Sequence, residues 1–200
     1  MLVVRSALIL TAGTVIIFTI SAAQLPLSAK QNLPLYFDLS SQLTEEFRGT
    51  YEFKYKRLEF TQDSDAAYVV RSSGDQSPNT DRIVVEGGYV YWVLGHSGEK
   101  WVALKTTLRL GDRWQHNLRG WNQQYLVVAT DLTVSVPAGV FPHCVKVEVS
   151  WIAHEHDMDG PQKVTLYLAP HLGIIKREQW SNGQEWHEEV LTSYRSGTVR

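Results

Sequence analysis

Cysteine is nearly missing from this chain: Cys144 stands alone among 200 residues. One thiol excludes an internal disulfide, so the fold cannot depend on a covalent staple. A chain this long can bury a sufficient core without one. Cys144 reads as buried and inert, since cysteine is among the most buried residue types. Pairing with another chain is the alternative. Excess positive charge is missing as well. Nineteen Lys and Arg face 21 Asp and Glu, a formal net charge of −2. This excludes a general nucleic-acid binder, which needs a basic face to displace counterions. There is no Gly-x-Ser-x-Gly elbow, no His-Glu-x-x-His, no phosphate loop and no dinucleotide fingerprint. The chain is therefore expected to be non-enzymatic, with no catalytic residues and no cofactor. Cys144 beside His143 makes no thiolate pair, because adjacent strand residues point to opposite faces.

Long apolar runs are confined to the first 23 residues. Arg5 is the only charge there, Ala7 to Ile20 is apolar, and Ser21-Ala22-Ala23 supplies small residues. That order is the order of a secretory signal cleaved before Gln24. An uncleaved anchor is the alternative, since Leu2 to Ala23 is near the spanning length of about 20 residues. Membrane contact is expected only through this segment, and only if it stays uncleaved. Cys144 lies far from its end and is no lipid-attachment site. The expected organisation is a signal or anchor at 1–23, an exposed lead at 24–34, one β-domain at 35–195 and a tail at 196–200.

What the chain has in quantity is alternation. Leu132, Val134 and Val136 share one face. So do Val145, Val147 and Val149, and again Val164, Leu166 and Leu168, each set with polar residues between. Period two with one apolar face predicts half-buried antiparallel strands. Turn signals separate them: Gly87-Gly88, Gly95 to Gly98, Asp159-Gly160 and Asn182-Gly183, with a polar loop at 75–80. Tyr51, Phe53 and Tyr55 alternate with Glu52, Lys54 and Lys56 and predict a further strand. Its phase slips before Leu58 and Phe60, which predicts a β-bulge at Lys56-Arg57. Helix is scarce. Leu39, Leu43 and Phe47 at i, i+4, i+8 fit one short helix over 38–47. The fold class is mainly β: a single strongly curved antiparallel sheet, a half-barrel or open-barrel meander.

Three segments carry a family resemblance: LRLGDRW at 108–114, VSVPAGVF at 134–141 and LYLAPHLGIIKRE at 166–178. In this order they resemble an uncharacterised family of secreted bacterial β-proteins, sometimes labelled TapB-like. The resemblance covers about 108–195 and implies an exported protein of the periplasm or cell envelope. The family's sheet resembles the curved half-barrel of lipoprotein carrier proteins (LolA/LolB-like), which implies an apolar groove for acyl chains. That implication is analogy at the level of the fold. Physically, the motif residues Gly111, Trp114, Pro137, Ala138, Gly139, Phe141, Ala169, Pro170 and Gly173 read as turn chemistry. Pro137 and Pro170 cannot donate a ladder bond, so their strands end or lie at an edge there.

Other residues suggest chemistry of their own. His154, His156, Asp157 and Asp159 (HEHDMD, 154–159) are the densest set of metal-ligand types. Against a metal site, the same stretch reads as a solvated hairpin tip, and the residue that should close a calcium loop is Leu168. Seven tryptophans, Trp92, Trp101, Trp114, Trp121, Trp151, Trp180 and Trp186, either line a groove or pack a core. Trp180 and Trp186 are expected to pair across the Asn182-Gly183 hairpin. Glu185, Glu188 and Glu189 read as a solvated acidic face. The expected partner is a lipid or acyl chain, with another envelope protein, taken up at a strand edge, as the alternative.

Overall fold

The computed structural model describes residues 36, 42–50, 54–64, 67–118, 121–152, 162–181 and 184–196. Among them there is no helix. The strands are β1 (Gln42–Gly49), β2 (Lys56–Ser64), β3 (Ala67–Gly74), β4 (Asn79–Glu86), β5 (Tyr89–Val93) and β6 (Lys100–Lys105). They continue with β7 (Arg113–Leu118), β8 (Trp121–Val136), β9 (Gly139–Ile152), β10 (Gln162–Ala169), β11 (Gly173–Ser181) and β12 (Gln184–Ser196). All twelve belong to one sheet in the order β6-β5-β4-β3-β2-β1-β12-β11-β10-β9-β8-β7. Every pairing is antiparallel, and β1 joins β12 to link the two halves of the chain.

The sheet is a meander that is not closed. Its two edges are β6 and β7, neighbours in sequence that share no ladder. Gln42 and Ser196 define its near end; the β3–β4 and β5–β6 connections lie at the far end. The inner face follows the predicted alternation: Val145, Val147, Val149, Val164, Leu166 and Leu168 are all buried. Each such side chain withdrawn from water contributes about 1.5–3 kcal/mol. Cys144 is buried with them, and burial pushes its thiol pKa up, which keeps it unreactive.

The glycine turn at 87–88 forms as its composition requires, with φ of 59° and 83°. Gly95 is needed for a different reason. A Cβ there would lie 1.6 Å from the Thr80 carbonyl oxygen, so only glycine lets the β5–β6 turn close on β4.

Four local expectations fail. Residues 42–47 are strand and not helix. Leu43 and Phe47 satisfy i, i+4, but they also satisfy period two once Glu45 between them is buried. The buried carboxyl hid the strand. Lys54 and Tyr55 are not in a strand, and β2 pairs without a shift at Lys56-Arg57 on both sides. The phase slip there is a hairpin connection and not a bulge. Curvature comes from bulges elsewhere, between Glu46 and Phe47, Gln62 and Ser64, and three times along β8. Trp180 faces Glu185 and not Trp186, because a register shift in β12 skips residue 186. Pro137 and Pro170, by contrast, each end a strand as expected, in turns between interior strands and not at a sheet edge.

The long β8–β9 hairpin bends over the near end. Asp131 and His143 both take positive φ of 58° where its register breaks. Beyond that point its tip reaches β12, where Ala138 N–H donates to the Leu191 carbonyl, 3.1 Å away. Val134 and Val136 go into the core beneath it, and Phe141 meets Tyr194 with ring centroids 5.9 Å apart.

Candidate functional site

The rolled sheet holds a partly open cavity of about 330 Å³. Its wall is built by residues that alternate inward: Phe47, Leu58 and Phe60 from β1 and β2, Ile83 and Trp92 from β4 and β5, Val149 and Trp151 from β9, Val164 and Leu166 from β10. Leu172, Gly173 and Ile174 close it on the near-end side, while Gln76, Ser77 and Leu94, from far-end turns, form part of its rim. Trp101 lies on the same lining and is 40% exposed.

One stretch of this wall is polar. It runs over four adjacent strands, with Lys56 on β2, Glu45 on β1, Glu189 on β12 and Arg177 on β11. Lys56 Nζ pairs with Glu189. Arg177 faces Glu189 directly in the ladder, with Nη1 at 3.7 Å from its carboxylate, and donates through Nη2 to Gln179 Oε1 at 2.9 Å. His187 is fully buried on the same face of β12. Glu45 is 2% exposed and its Oε1 has no hydrogen-bond partner. Burial pushes its pKa well above the carboxylate range; nearby Lys56 opposes this and Glu189 adds to it. Burial thus favours the neutral form of the Glu45 carboxyl, which can donate one hydrogen bond and accept others.

A second polar position, on β4, is of a different kind. Asp81 on β4 is buried, and it accepts from Trp92 Nε1 at 2.8 Å, Gly95 N–H at 2.9 Å and Asn79 Nδ2 at 2.8 Å. Three donors satisfy it and tie the rim turn to the wall.

The two edges of the sheet meet through side chains. Trp114 on β7 donates from Nε1 to the Ala103 carbonyl of β6 at 2.8 Å, and His116 Nε2 donates to the Lys100 carbonyl at 2.7 Å. Ala103 N–H reaches Tyr125 Oη at 3.4 Å, and that hydroxyl donates to Gln123 Oε1 at 2.7 Å. Trp114 and Tyr125 stack 5.0 Å apart.

The residues singled out by sequence distribute unevenly over this structure. Gly111 and Gly173 take positive φ of 83° and 80°, Gly139 one of 145°. Pro137, Ala138 and Pro170 sit in turns. Ala169 is buried, and Phe141 packs against the core. Trp114 belongs to the edge-to-edge seam and to no turn. Trp92, Trp101 and Trp151 line the cavity. His154, His156, Asp157, Asp159 and both the Asp159-Gly160 and Asn182-Gly183 turns lie outside the described residues. Of the acidic trio, Glu185 is exposed but Glu189 is buried and faces inward.

Sequence reading missed the polar stretch of Glu45, Lys56, Arg177 and Glu189. A signal for it exists. Leu43-x-Glu45-x-Phe47 and His187-x-Glu189-x-Leu191 each place a glutamate in phase with apolar neighbours.

The architecture is an open, twelve-stranded antiparallel meander with a covered end and an internal cavity. Two solved structures are similar to the chain in fold. One is a candidate exported protein with YmcC-like fold from Bacteroides fragilis, with TM-score 0.55 and 13% identity, covering 81% of this chain and 99% of that one. The other is a candidate lipoprotein from Parabacteroides distasonis, with TM-score 0.51 and 10% identity, covering 82% of this chain and 100% of that one. At these identities the likeness defines the fold alone. No protein-family model and no curated protein matches the chain.

Proposed function

We propose that this chain is an exported, non-enzymatic protein of the bacterial cell envelope that holds an apolar, lipid-like ligand inside its rolled sheet. The observation that carries the reading is the cavity: about 330 Å³, walled largely by Phe, Leu, Ile, Val and Trp side chains and closed on the near-end side by Leu172, Gly173 and Ile174. Concave, mostly apolar sites with a few placed polar groups are the usual form of small-molecule sites, which run from roughly 300 to 1,000 Å³. A cavity at the low end of that range suits a single chain. Export is supported by the basic-apolar-small order of residues 1–23 and by the resemblance of 108–195 to secreted TapB-like proteins. The two fold neighbours, a candidate exported protein and a candidate lipoprotein, support the same location.

Native mass spectrometry of the purified protein tests the reading, together with uptake of a fluorescent fatty acid. The expected result is a co-purifying or captured amphiphile at one per chain. A clean protein mass and no uptake would overturn it. A role as an assembly factor is the alternative: β6 and β7 share no ladder, and side-chain bonds from Trp114 and His116 to the Ala103 and Lys100 carbonyls are what a partner strand would have to displace.

A further inference from the structure

Resting on that reading, we infer that the ligand carries an acyl carbonyl oxygen, as in an ester or amide, that accepts a hydrogen bond from the side-chain amide of Gln123. Gln123 lines the cavity and is 2% exposed. A chain of hydrogen bonds orients its amide. Ala103 N–H on β6 donates to Tyr125 Oη at 3.4 Å, so the proton of that hydroxyl goes to Gln123 Oε1, 2.7 Å away. Oε1 is thereby fixed as the acceptor, and Nε2 is left with two N–H groups. Among the described residues none accepts from Nε2. Unlike Glu45 Oε1, this nitrogen keeps some accessible surface, and for a residue on the lining that surface is cavity. A donor withdrawn from bulk water with no acceptor is costly, and such groups are rare in folded proteins. A ligand oxygen in the cavity removes the cost.

Position and chemistry narrow the acceptor. Gln123 faces Trp151 in the β8–β9 ladder, and the same register continues through Gln162 and Ser181 to Gln184, the end of β12 remote from Ser196. Gln123 thus sits toward the far end, while Leu172 and Ile174 close the near-end side. A ligand with its carbonyl at Gln123 runs its hydrocarbon chain inward past Tyr125 and Val149, the next inward pair of the same two strands. Its remaining polar part points to the rim, where Trp101 is 40% exposed. A hydroxyl at Gln123 would bring a donor of its own while Oε1 is already engaged. A carbonyl is an acceptor with no proton to satisfy.

Methyl decanoate, which has the carbonyl, and butylbenzene, which has no oxygen, test this by displacement of a fluorescent fatty acid and by infrared spectroscopy. The ester stretch lies clear of the protein amide band and falls in frequency when its oxygen accepts a hydrogen bond. Methyl decanoate bound to the parent protein is expected to show the lowered band. In Gln123→Leu the band moves to its position in hexane and ester affinity falls about fivefold, the scale of one hydrogen bond, while butylbenzene binds no more weakly. The affinity of N-methyldecanamide relative to the ester separates the two carbonyl classes. A hexane-like band in the parent, a lowered band that persists in Gln123→Leu, or an equal loss of both probes in that variant would overturn the assignment to Gln123 and leave the apolar reading intact. Should Gln123→Leu fail to fold, NMR of the Gln123 side-chain amide protons in the parent replaces it: methyl decanoate is expected to shift them downfield, and no shift would overturn the assignment. Failure of every probe to bind, the fluorescent fatty acid included, would remove both readings.

Discussion

The β12–β1 wall and the β6–β7 seam solve the same problem in opposite ways. At the wall, strands from the two ends of the chain meet, and a ladder with one bulge joins them from Leu43↔Ser196 to Gly49↔Glu189. At the seam, two strands separated only by a short connection share no ladder, and Trp114, His116 and Tyr125 bridge them through hydrogen bonds from side chains. Sequence proximity does not decide which strands pair. The wall can afford buried charge because backbone bonds hold it; the seam, with few backbone bonds, relies on aromatic bulk. A cavity bounded by both has one rigid side and one side that can open at lower cost.

The largest predicted effect is at the seam. Trp114→Ala removes a buried indole, its stack on Tyr125 and its bond to Ala103. It is expected to cost about 3–5 kcal/mol in urea unfolding. Leu191→Ala on the wall creates a cavity too, at about 2–5 kcal/mol. The two differ in hydrogen exchange. Trp114→Ala should speed exchange at β6 and β7 amides selectively, whereas Leu191→Ala should lower protection across the sheet. Identical exchange patterns would erase the distinction between seam and wall.

Next comes Glu45→Gln, which probes the charged wall. Burial raises the folded-state pKa of Glu45 above its ordinary value of 4.5. A raised carboxyl contributes stability that is fully present below the unfolded pKa and is lost as pH rises through the folded one. The glutamine variant has no such loss. It should therefore melt at a higher temperature than the parent at neutral pH, with the gap closing as pH falls below about 4. A gap that is constant with pH would mean that Glu45 titrates normally.

Much of the sheet was legible because its inward residues are apolar and strictly alternating, as at Val145 to Val149 and Val164 to Leu168. The glycine turn at 87–88 was legible because its φ values exclude other residues. What failed, failed where an inner position is polar or a register slips. Glu45 disguised β1 as a helix, and the shift that skips residue 186 separated Trp180 from its expected partner. The candidate site was invisible for the same reason. Binary patterning assigns glutamate and lysine to solvent, and only the three-dimensional meeting of β2, β1, β12 and β11 puts Glu45, Lys56, Glu189 and Arg177 on one inner wall. The seam was beyond reach as well, since the β6–β7 connection looks like any other hairpin until the edges are seen unpaired.

The smallest effect returns to the wall. At the bulge between Glu46 and Phe47, Thr192 Oγ1 donates to the Glu46 carbonyl at 2.9 Å. Thr192→Val keeps the shape and removes the donor, leaving a partly buried carbonyl one bond short. The expected loss is about 0.5–1.5 kcal/mol, far below that of Trp114→Ala, because the ladder on either side of the bulge remains. Urea midpoints of the two variants, taken with unchanged slopes, measure the contrast. A loss at Thr192 as large as that at Trp114 would show that the wall, like the seam, hangs on single side chains.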